Sequence, residues 1–120
     1  MAARLPKTLA GMYADIKRRY VDNWEVEIPE AEEVEFHWVD PGGQTDLIDT
    51  LCTWASAFRD DDGVWHVSFN DRIRTCPDFM YIVLAHEMLH IAYPDAAHND
   101  ATWNEGYRRF VGAGLFRRVF

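Results

Sequence analysis

His86 and His90 stand four positions apart in the run H-E-M-L-H, with Glu87 directly after the first histidine. In a helix, residues at that spacing lie one turn apart on one face, so both imidazoles can present a ring nitrogen to a single cation. Glu87 is turned by about 100° around the axis. Its carboxylate then sits beside the cation rather than on it, where it can take a proton from an attacking water. Imidazole suits zinc, a borderline-soft ion, better than calcium or magnesium, which prefer oxygen. The expected cofactor is therefore Zn2+, with His86 and His90 as ligands and Glu87 as the catalytic base. With five histidines in 120 residues, random order would produce such a pattern in roughly one chain in a hundred. The neighbours sharpen the signal. Phe79, Ile82, Val83, Leu84, Leu89 and Ile91 make the segment apolar on several sides, and three polar groups inside it would be costly to bury without partners or an ion.

A catalytic zinc takes three protein ligands and keeps one position open for water. Two downstream residues are candidates for the third place. His98 follows His90 by eight residues, past a Pro94-Asp95 turn that can fold the chain back over the metal, and it is preferred. Glu105, in the string W-N-E-G, is the alternative. Tyr107 could reach an oxyanion formed during hydrolysis, although its spacing from Trp103 and Phe110 reads first as helix core. His66 could face a cleft from its strand, but a structural or surface role is the plainer reading. Cys52 and Cys76 form no Cys-x-x-Cys pair and are expected to be buried free thiols.

The stretch from Trp65 to Phe116 resembles the SprT-like group of zincin metallopeptidases. The resemblance is carried by W-H-V-S-F-N-D-R-I, then V-L-A-H-E-M-L-H, then P-D-A-A-H-N-D-A-T-W, then R-R-F-V-G-A-G-L. It implies a minimal zincin-like domain in which His86, His90 and His98 bind zinc and Glu87 is the catalytic acid/base. The W-N-E-G string is also similar to the glutamate zincins, whose glutamate in such a string is the third ligand, and Glu105 is kept on that ground. The implied activity is peptide-bond hydrolysis, with Glu87 passing the proton of water to the leaving amine. A peptide or protein substrate is expected to lie along the strand from Val64 to Asn70 as an added strand. Two other readings stand beside this one: a non-catalytic zinc-containing interaction module using the acidic 22–62 segment, and a zinc amidase acting on a non-protein substrate.

Around these residues the sequence supplies elements to hold them. Leu5, Leu9, Met12, Tyr13, Ile16 and Tyr20 form one apolar stripe of an N-terminal helix ending in Lys17, Arg18 and Arg19. Trp24, Val26 and Ile28 alternate with acids and read as a strand ended by Pro29. Val34, Phe36 and Trp38 read as another, ended by Pro41-Gly42-Gly43. Residues 51–58 and 64–70 flank the turn Arg59-Asp60-Asp61-Asp62-Gly63 as a hairpin. A helix starts at Thr75 or Cys76 with Pro77 in its first turn and runs to about Tyr93, before Pro94. A last helix begins near Asn99 or Asp100 and loosens at Gly112 and Gly114. The expected fold is α+β, a single domain over residues 1–120, with a small, mainly antiparallel sheet against an N-terminal helix, the zinc-binding helix and a C-terminal helix.

Composition narrows the function classes. Aromatic residues make up 14% of the chain, so a core is available and disorder is not expected. No apolar run is long enough to span a bilayer, and no leader with an apolar centre opens the chain, so a cytoplasmic location is expected. The net charge is −8. Residues 22–62 hold thirteen acids and one base, Arg59, whereas bases gather near both ends. Such a chain gains little from counterion release, and direct binding of nucleic acid is not expected.

Overall fold

The computed structural model describes residues 5–40, 54–98 and 100–119. Helix α1 spans Leu9–Arg19. It starts later than the apolar stripe because Thr8 caps it, its hydroxyl accepting the Gly11 N–H at 3.0 Å. Lys17, Arg18 and Arg19 occupy the last turn, where positive charge complements the helix dipole. Met12, Tyr13 and Ile16 are fully buried, each worth about 1.5–3 kcal/mol in area removed from water.

The stretch 24–28 forms no strand, contrary to the reading of its alternation. Trp24, Val26 and Ile28 are half-buried and Glu25 and Glu27 exposed, so the inside–outside pattern is real. What the segment covers, however, is helix. The Trp24 ring lies 4.9 Å from that of Phe110 and stacks on Tyr93 at 6.4 Å between centroids.

The sheet has three strands, β1 (Val34–Val39), β2 (Ala55–Arg59) and β3 (Trp65–Asn70), in the order β1-β3-β2. β2 and β3 form the antiparallel hairpin, with Ala57 opposite Val67. Its turn holds Gly63 at φ 84°, a left-handed conformation that favours glycine. β1 pairs parallel with β3, Phe36 beside Val67. The sheet is therefore mixed rather than mainly antiparallel, because period-two patterning reports which face a residue occupies but not the direction of its strand. The order also corrects the docking strand. β3 is central, with both edges paired, so no peptide can add along 64–70; among the described residues the outer strands are β1 and β2. The turn expected at Pro41-Gly42-Gly43, the beginning of the hairpin at 51–53, and Cys52 lie outside the described residues.

Helix α2 (Pro77–Ala92) begins with Pro77 in its first turn and ends before Pro94, as its sequence predicts. It packs on α1 and on β2 and is buried on several sides, through Met80, Tyr81, Leu84, Met88, Leu89 and Ile91. α3 (Ala101–Gly112) and α4 (Leu115–Val119) follow, separated by Gly114 at φ 87°. α3 approaches α2 closely at Gly106, where an added Cβ would meet Leu89 Cδ2 at 2.6 Å. All elements share one apolar core, and the architecture is α+β.

One buried ionic group ties three helices. Asp15 is 6% exposed and accepts hydrogen bonds from Arg19 Nε at 2.9 Å and from the Tyr81 hydroxyl at 2.6 Å. Arg118 of α4 stands 3.1 Å away. Burial alone would raise the Asp15 carboxyl, but the hydrogen bonds from Tyr81 and Arg19 and the charge of Arg118 outweigh it and hold the group below its usual range.

Candidate metal centre

α2 carries His86 and His90 on one face, and the chain then reverses at Pro94-Asp95. Ala96 N–H donates to the Tyr93 carbonyl at 3.0 Å across this turn. Asp100 secures the other side. Its Oδ1 accepts the Trp103 N–H at 3.0 Å, capping α3, and its Oδ2 accepts the Ala97 N–H at 3.1 Å. One short acid thus starts the next helix and braces the loop that presents His98. The result is a cluster in which one ring nitrogen from each of His86, His90 and His98 lies within 4.8 Å of the others. The Nε2 atoms of His90 and His98 are 3.2 Å apart.

Trp103 is the common wall of this cluster. It is 3% exposed, and its ring centroid lies 5.1, 4.5 and 4.8 Å from those of His86, His90 and His98. Its spacing within α3 marks it as a core residue; that all three histidines pack on it depends on the fold of the loop, which no periodicity reveals. Asp100 could have been picked out as a helix cap, but not as a brace.

Burial lowers the His86 imidazole to about 4, with the charges of His90 and His98 adding to the effect. His90 is lowered by burial and by His98. Both rings are therefore neutral at pH 7, with lone pairs available to a metal. Three imidazoles that converge on one point could hold a single cation, and this donor set suits zinc.

Glu87 lies beside the cluster and outside it. It is 4% exposed, and its Oε2 has no hydrogen-bond partner among the described residues. Burial pushes the carboxyl up to about 7. It lines a cleft of about 320 Å³ together with Trp54, Ala55, Ile82, Val83, His86 and Tyr107. A buried carboxylate without a partner is costly, unless the cleft supplies a cation or a proton donor. Tyr107 is half-buried in the same cleft, its hydroxyl bonded to His86 Nδ1. Its phenol is raised by burial and then by the charge of Glu87.

The remaining sequence candidates fall elsewhere. Glu105 is exposed and pairs with Arg108 at 2.9 Å and Arg109 at 3.8 Å; it is not part of the cluster. His66 belongs to the outer face of the sheet, opposite to buried Val67 and Phe69, and not to the cleft. Cys76, expected to be buried, is an exposed free thiol at the start of α2, since the helix turns its first residues toward solvent. No helix among the described residues is long and apolar enough to cross a membrane. No protein family, curated protein or solved structure matches the chain.

Proposed function

We propose that this chain is a zinc-dependent hydrolase of the SprT-like zincin type that cleaves peptide bonds, with His86, His90 and His98 as ligands and Glu87 as general base. The observation that carries the reading is the pairing of three convergent imidazoles with a buried carboxylate that lines the adjoining cleft and whose Oε2 has no hydrogen-bond partner among the described residues. A purely structural zinc is closed by four protein ligands; among the described residues the cluster has three members.

Zinc in this cluster would supply Lewis acidity, making a water more acidic and a substrate carbonyl more electrophilic. Glu87 takes the proton of the attacking water. Its raised pKa of about 7 places it near the working pH, where one group can both accept that proton and return it to the leaving amine. Tyr107 holds the His86 ring through its Nδ1, in the manner of the outer partners that orient metal ligands. The peptide lies along β2, an outer strand among the described residues, whose Ala55 and neighbouring Trp54 form one wall of the cleft. Trp54, Ile82 and Val83 favour an apolar side chain there.

Glu87→Gln tests this reading. The variant is expected to keep one zinc per chain while hydrolysis of a peptide substrate falls by about a hundredfold or more. Loss of zinc from the variant would make Glu87 a ligand, and unchanged hydrolysis would remove it from the chemistry.

A further inference from the structure

The outer face of the sheet carries a second group of histidine and carboxylate side chains, on residues that the hydrolase reading does not use. His66 of β3 has its Nε2 2.8 Å from Asp60 Oδ2 and its Nδ1 3.0 Å from His37 Nε2 of β1. Asp60 is fixed by its own turn, since its Oδ1 accepts the N–H groups of Asp62 at 2.9 Å and Val64 at 3.0 Å. The hydrogen bond from His66, and then that from Val64, holds its carboxyl below the usual range. An ionised carboxylate can only accept. His66 Nε2 therefore carries the proton in the neutral ring, and Nδ1 keeps its lone pair, directed at His37. Phe58 stacks on the His66 ring at 4.8 Å and 8° and fixes its plane. The His37 and His66 rings are tilted by only 13° with centroids 5.2 Å apart, so their nitrogens face each other in line and share one N–H···N hydrogen bond.

We propose that His37 and His66, braced by Asp60, form a second cation site that takes an imidazole-preferring transition-metal ion, Cu2+ ahead of Ni2+ and Zn2+. The cation displaces the proton shared by the two rings, and that proton passes through solvent to Nδ1 of His37. His37 is exposed on an edge strand, so its ring can turn until both lone pairs converge, with water filling the other positions. Asp60 plays the part that a carboxylate plays behind a metal-bound histidine, fixing the tautomer and raising the basicity of the ligating nitrogen. Glu35, the register partner of His66, adds negative charge on the same face. The site would join β1 to the β2–β3 hairpin and stabilise the folded state by linkage.

The test is a Cu2+ titration of the protein preloaded with one equivalent of Zn2+, counting both metals after gel filtration. The expected result is one copper bound with zinc retained, an electron paramagnetic signal showing coupling to two imidazole nitrogens, and a rise in Tm. His37→Gln and His66→Gln should each abolish this copper without changing bound zinc. Asp60→Asn, which leaves both ligands in place, should weaken it by about tenfold to a hundredfold. The dependence of copper on His37 and His66 is read separately from the zinc count, so it stands or falls apart from the hydrolase reading. Undiminished copper in either Gln variant, one-for-one exchange of copper for zinc, or no copper in the wild type overturns the proposal.

Discussion

The two histidine clusters of this protein solve different physical problems. His86, His90 and His98 converge and pack on a buried indole, and among the described residues no carboxylate belongs to their cluster. Burial favours the neutral rings of His86 and His90, whose lone pairs are then ready for a cation, while His98 joins them from an exposed loop. His37 and His66 meet in line at the sheet surface, with a carboxylate fixing one tautomer. The two helical histidines of the inner cluster are prepared by burial, the outer pair by hydrogen bonding. The same residue type thus acquires its chemistry from dielectric in one place and from a charged neighbour in the other.

Removing the support of each cluster should produce the greatest contrast. Trp103→Ala should destabilise the protein by about 3–5 kcal/mol, as expected for deleting a buried aromatic, and should weaken zinc binding because all three histidines lose their wall. Phe58→Ala, at a ring that is 52% exposed, should cost well under about 1 kcal/mol, in keeping with a surface substitution. Chemical denaturation of both variants checks the pair; equal losses would erase the distinction between an interior and a surface cluster.

The ligand set itself gives the next largest effect. His98→Ala should lower zinc affinity by more than about a hundredfold, beyond the usual range for losing an outer partner, whereas Glu105→Ala leaves it nearly unchanged. Competition with a chromophoric chelator measures both. The reverse outcome would put Glu105 in the ligand set and His98 in the loop alone.

Acidity separates the clusters in a third way. In zinc-free protein the His86 pKa is lowered from 6.5 to about 4, so the folded state resists a proton that the unfolded chain accepts. The unfolded state then binds more protons, and stability is fully present above pH 6.5 and is lost as pH falls toward about 4. A further loss follows at lower pH, as the depressed Asp15 carboxyl is protonated. Glu87, whose carboxyl burial raises from 4.5 to about 7, acts with the opposite sign over the same range. It is therefore in chelated Glu87→Gln protein that thermal melts across pH 4 to 7 should show the first decline. A flat profile there would mean that His86 is not held neutral by burial.

The smallest expected effect is at the loop brace. Asp100→Ala removes a helix cap, which costs about 1 kcal/mol, and it also frees the Ala97 N–H beside His98. Zinc affinity should drop along with stability. A stability loss with unaltered affinity would show that the cap does not position the ligand.

Much of this was legible in the chain alone, where the information is local. The four-residue spacing of His86 and His90, the stop at Pro94, the start at Pro77 and the hairpin at Gly63 are set by helix periodicity and by the backbone limits of proline and glycine. So is the alternation of Trp65, Val67 and Phe69, and with it the α+β class. What required the tertiary structure were matters of partnership. Trp24–Ile28 has a strand-like alternation but forms no strand, and its Trp24 rests on Tyr93 and Phe110. β1 runs parallel to β3, which leaves β2 rather than β3 as the edge beside the cleft. Whether His98 or Glu105 meets His86 and His90 of α2 depended on a turn and a cap acting together. His37 and His66, twenty-nine residues apart, meet only because the register of two parallel strands brings them side by side. Sequence patterns report which way a side chain faces; which other side chain it meets is decided by long-range packing, where many pairings satisfy the same pattern and the fold selects one.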